Sequence, residues 1–120
     1  MGIFKEQRIE EDEKLVNELR AFRAVLIILE SDDNLKLKAL PFINFENQAI
    51  DWDAMETNTI FSADQWAAIF WAKAIWYNYA VTVRDPFDVA HEMRQSTQNA
   101  VLRALAIRWG LYESYCREAV

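Results

Sequence analysis

The sequence has little of what punctuates or cross-links a chain: two glycines, two prolines, one cysteine and one histidine in 120 residues. Sandwiches and barrels need many turns, and turns draw on glycine and proline. Their scarcity argues for long helices joined by few connections. The one thiol, Cys116, excludes an internal disulfide and a structural zinc site. With only Gly2 and Gly110 there is no glycine-rich phosphate loop. An apolar leader is also lacking: Lys5-Glu6-Gln7-Arg8 runs into an acidic stretch, and Glu6 stands where a myristoylation motif takes serine or threonine. A reducing cytoplasm is the expected location. Basic excess is absent too. The formal charge is −6, so neither DNA nor RNA is an expected partner.

What is there belongs to a globular chain: 52% apolar and 27% charged residues. One helical domain over residues 1–120 is expected, burying roughly two-thirds of the unfolded surface. The charge is uneven. Residues 41–90 hold seven acids against two bases, and residues 91–120 three acids against four bases. Five tryptophans, Trp52, Trp66, Trp71, Trp76 and Trp109, supply large apolar area with few rotatable bonds. Core packing is their first explanation. An aromatic-lined pocket or a subunit interface is the second.

The periodicity predicts an all-α bundle of three long helices. Leu15, Leu19, Phe22, Leu26 and Leu29 follow 4-3-4-3 spacing and place a first helix over 3–30. Ser31-Asp32-Asp33-Asn34 ends it. Ser62 with Gln65 three positions on is a capping box that opens a second helix over 63–83. Its apolar side chains cover every direction of the wheel, so it is central to the bundle or packs on another subunit. Lys73 and Asn78 within it argue against a membrane span. Asp85-Pro86, an acid at the N-cap and proline at the first helical position, opens a third helix to about Arg117. Gln95-Ser96-Thr97 is a candidate break in it, and Gly110 a second weak point. Residues 31–61 form an irregular insert that holds a short hairpin or a short helix, with Asp51 or Asp53 as a cap.

Few residues suggest chemistry. Asp88 and His91, three apart, could share a helix face, but with no second histidine no metal site is predicted. Arg84, six residues and His91, with Asp85 after the arginine, resembles the Arg-x(4–6)-His motif of the HEPN family of helical ribonucleases. The match covers two positions. It implies that Arg84 and His91 bind and polarise the scissile phosphate and act on the ribose hydroxyl. Lys73, flanked at helical spacing by Ile69, Phe70, Trp76 and Tyr77, is either a base or nucleophile, or a lysine whose stem lies along the rings while its ammonium reaches water. Arg108 falls inside an apolar stripe of Val101, Ala104, Leu105, Leu111, Tyr112 and Tyr115. A guanidinium cannot shed its charge, so it must find a carboxylate or several carbonyls. Asp51, Asp53, Glu56 or Asp64 are the expected partners, in a partly buried ion pair beside aromatic rings.

These observations rank three functions. The first is a non-enzymatic, oligomeric interaction or accessory protein, of the kind mobile elements carry, with itself as partner in a homodimer or higher assembly, or another protein as partner. The second is a binder of a small apolar ligand in a tryptophan-lined pocket. Trp71, Lys73, Trp76, Tyr77, Arg108 and Trp109 are the candidate binding residues for either. The third is the ribonuclease using Arg84 and His91. No cofactor is predicted.

Overall fold

The computed structural model describes the backbone of residues 2–80 and 82–111, and the side chains of 13–80 and 82–111. It is mostly helical. Helix α1 spans Gly2–Leu29, α2 Asp33–Ala39, α3 Trp52–Asn58, α4 Ala63–Tyr77, α5 Pro86–His91 and α6 Gln95–Arg108. A short 3-10 turn (Leu40–Phe42) and a two-residue hairpin, β1 (Ile43–Asn44) with β2 (Ala49–Ile50), lie between α2 and α3. The hairpin is antiparallel, with Ile43 opposite Ile50.

Local side-chain chemistry sets most boundaries. The Ser31 hydroxyl donates to the Ile28 carbonyl and satisfies an end of α1. Asp32 caps α2 by accepting the Leu35 N–H, and Asp51 caps α3 by accepting that of Ala54. Thus the insert holds both a hairpin and short helices. The capping box of Ser62 and Gln65 opens α4, and Asp85 followed by Pro86 opens α5.

Two expected helices are shorter than their periodicity suggests. The helix predicted over 63–83 stops at Tyr77, because Asn78 takes the left-handed conformation (φ 64°) and ends the ladder. The third long helix is in fact two. α5 stops at His91 and α6 starts at Gln95, so the break falls just before Gln95-Ser96-Thr97. The cause lies in α4. One Asp64 carboxylate oxygen accepts the Arg94 backbone N–H at 2.7 Å, and the other accepts the Thr97 hydroxyl at 3.3 Å. The acid therefore holds Arg94 extended and sits at the positive end of α6.

The far end of α6 closes at Gly110. Leu111 N–H donates to the Ala106 carbonyl and Gly110 N–H to that of Ile107, a Schellman closure with Gly110 at φ +74°. A Cβ there would lie 3.0 Å from the Arg20 guanidinium. Gly110→Ala is therefore expected to cost about 1–2 kcal/mol, mostly from the left-handed backbone, since the Arg20 tip can swing aside. Urea denaturation would measure it. Tyr112, Tyr115 and Arg117 lie outside the described residues.

The core forms where α1 packs on both α4 and α6, and α4 on α6. Ala24, Val25, Ile28 and Leu29 of α1 meet Ala67, Ala68, Ile69, Ala72 and Ile75 of α4 and Val101, Ala104 and Ile107 of α6. The alanines let the helix axes approach. Leu35, Trp52 and Met55 of the insert and Val89 of α5 complete the cover. α4 packs on α1, α5 and α6 within one chain, but its all-round apolar pattern is covered only in part, since Trp66 and Tyr77 remain exposed. The stripe read along α1 divides. Phe22 and Leu29 are buried and Leu26 is half-buried, but Leu15 and Leu19 are open to solvent.

Candidate functional site

The end of α4, the loop after it and the end of α6 enclose a cleft of about 230 Å³. Trp71, Ile75, Asn78, Tyr79, Arg108 and Trp109 are among its walls. Helical spacing explains the arrangement. Trp71 and Ile75 stand one turn apart on α4, while Leu105, Arg108 and Trp109 share one side of α6's last turn. Asn78, by ending α4, turns the chain so that Tyr79 and Ala80 line the mouth. Trp109 remains 61% exposed. The indole N–H of Trp71 is buried without a hydrogen-bond acceptor among the described residues.

Arg108 is half-buried, as its place beside the apolar stripe suggests. Its expected acid partners are elsewhere. Glu56 pairs with Lys73, Asp64 with Arg94, Asp51 caps α3 and Asp53 is exposed. Instead the Arg108 Nε–H donates to the Ile75 carbonyl at 3.1 Å. Tyr77 and Asn78 lie within the last turn and cap of α4, so Ile75 belongs to a turn whose carbonyls are running out of helical partners. That is why a carbonyl was available. The ion pair that links the acidic insert to the core is made by a different cation, Lys73. Lys73 Nζ lies 3.1 and 3.3 Å from the two Glu56 oxygens, linking α4 to α3.

The other candidate residues disperse. Trp76 faces the opposite side of α4, edge-on to Phe22 and Trp52. It borders a groove of about 600 Å³ shared with α1 and the hairpin turn, where Glu13, Lys14, Glu18, Asn47 and Arg108 also stand. Tyr77 is exposed and tilts against Tyr79. Arg84 bonds through its guanidinium to Glu92, and His91 is exposed. Of the six residues expected to bind, Trp71, Arg108 and Trp109 come together at the cleft.

Sequence reasoning missed Asn78 and Tyr79 as wall residues, since the apolar pattern ran through them. It also missed the reach of Gln65. This side chain is 3% exposed. Besides its capping role, its Oε1 accepts Lys38 Nζ at 2.9 Å and its Nε2 donates to Asn34 Oδ1 at 2.8 Å. No cluster of three or more His, Cys, Asp or Glu suited to a metal occurs among the described residues. No described helix is long and apolar enough to cross a membrane. Comparison of the chain with protein-family models, curated proteins and solved structures gives no match.

Proposed function

We propose that this chain is a non-enzymatic interaction protein of the cytoplasm that works as a homodimer or higher oligomer. One observation supports the reading: Leu15, Val16 and Leu19 of α1 are 57%, 43% and 42% exposed, on a stretch of α1 that extends past the chain's own core. Self-association rests on this stretch of α1. α1 has 28 residues, about 42 Å at 1.5 Å per residue, and α6 ends alongside its middle, where Gly110 meets Arg20. Leu15, Leu19 and Leu26 lie within about 40° on the wheel and keep coiled-coil spacing. Glu18 and Arg23 flank that seam, both exposed and five positions apart. That is the offset at which opposite charges meet across two parallel helices.

Sedimentation of the wild type at about 100 μM should give a dimer or larger species, and Leu15→Glu/Leu19→Glu a monomer of unchanged helicity. Arg23→Glu should weaken the assembly, and Glu18→Arg/Arg23→Glu should restore it. A monomeric wild type overturns the reading.

A further inference from the structure

We propose that the cleft between the ends of α4 and α6 is a ligand site for a single-ring aromatic carboxylate. The ring lies against Trp71 and Trp109, and the carboxylate meets the Arg108 guanidinium.

Size sets the first limit. The cleft holds about 230 Å³. Drug-sized molecules occupy pockets of roughly 300–1,000 Å³, while an engineered cavity of about 150 Å³ takes benzene. One substituted ring fits between these. The walls suit such a ring: two indoles, the Ile75 and Leu105 side chains and the Pro86 ring. Trp109 leaves most of its indole in water, and a ring laid against it would bury that area.

Charge sets the second limit. Arg108 is the one charged side chain among the described wall residues. Its Nε is fixed on the Ile75 carbonyl, and no ion pair joins it to an acid among the described residues. A guanidinium held by its inner nitrogen keeps its outer N–H groups for a planar, two-oxygen acceptor. Arg108 also borders the groove beside α1, where the acids Glu13 and Glu18 stand together with Lys14 and compete with an anion for its guanidinium. On the cleft side no acid stands among the described wall residues. The Asn78 amide and Tyr79 hydroxyl add donors at the mouth.

The site is separate from the α1 seam, so it can be tested in the Leu15→Glu/Leu19→Glu monomer as well as in the wild-type chain. Fluorine NMR with 4-fluorophenylacetate and its neutral amide, 4-fluorophenylacetamide, provides the measurement. The acid is expected to bind with a Kd of about 0.1–1 mM, as suits a small fragment. The amide should bind about tenfold more weakly, the difference one charge-assisted hydrogen bond makes. Trp109→Ala, an exposed position that leaves folding intact, should weaken both probes. Arg108→Met should abolish the preference for the acid. Should that variant fail to fold, the loss of the acid's advantage in wild type between 20 and 500 mM salt tests the same contact. Trp66→Ala, at the other end of α4, should change nothing. No binding of the acid at 5 mM, equal binding of acid and amide, or undiminished binding in Trp109→Ala overturns the proposal.

Discussion

Gln65→Ala is expected to lower the free energy of unfolding by about 2–4 kcal/mol, one of the two largest losses anticipated for a polar position in this chain. The side chain is nearly fully buried and uses both ends of its amide. Its oxygen accepts from Lys38 and from the Ser62 backbone N–H, and its nitrogen donates to Asn34 and Asp32. Alanine removes one buried methylene, about 0.8 kcal/mol, together with the carboxamide. It also opens the capping box and releases α2 from α4. Gln65→Leu restores most of the buried volume and so separates packing from hydrogen bonding; its loss should be smaller. For a chain of this length the alanine variant should melt roughly 8–15 °C lower. Hydrogen exchange should accelerate most over Leu35–Ala39. Unchanged exchange there would show that Gln65 does not hold α2.

Asp64→Ala is expected to cost about 2–3 kcal/mol. The carboxylate's contact with the Arg94 guanidinium is half in solvent and contributes little. Its bonds to the Arg94 N–H and the Thr97 hydroxyl weigh more, because Thr97 is buried and the acid sits at the N-terminus of α6. Asp64→Asn keeps one acceptor oxygen and should lose about half as much. Equilibrium urea unfolding of the three proteins gives the order. A wild-type midpoint in the alanine variant would mean that α6 begins at Gln95 without help from α4.

These two residues also mark the boundary of what the sequence makes legible. Signals that act over three or four positions are readable. Ser62 with Gln65, Asp85 with Pro86, and Asp51 before α3 each form the expected cap. The hairpin and the short helices of the insert follow from the same local chemistry. What escapes is contact between distant positions. Asp64 reads as an ordinary acid in a first turn, yet it acts 30 positions away on Arg94. Glu56 is a sound candidate partner for a buried cation, but two cations compete for it, and Lys73 stands nearer in the fold. Asn78 fits an apolar helix pattern until its backbone turns left-handed. The cleft inherits this limit. Trp71, Arg108 and Trp109 stand out as residues on the wheel, but the turn at Asn78 that closes the site around them is a tertiary choice.

The order in which the core's pieces are made follows from the position of α1. The helix that packs on both α4 and α6 is translated before either. At roughly 5–20 residues per second, α6 emerges on the order of ten seconds after α1. Until α4 emerges Ala24, Val25, Ile28 and Leu29 have neither wall to lean on, and the wall that α6 supplies comes later still. A helix of this kind gains its stability from packing and so stays marginal until its partners arrive. Completing this core is therefore a long-range closure, in which the helix made first of the three is captured by the one made last.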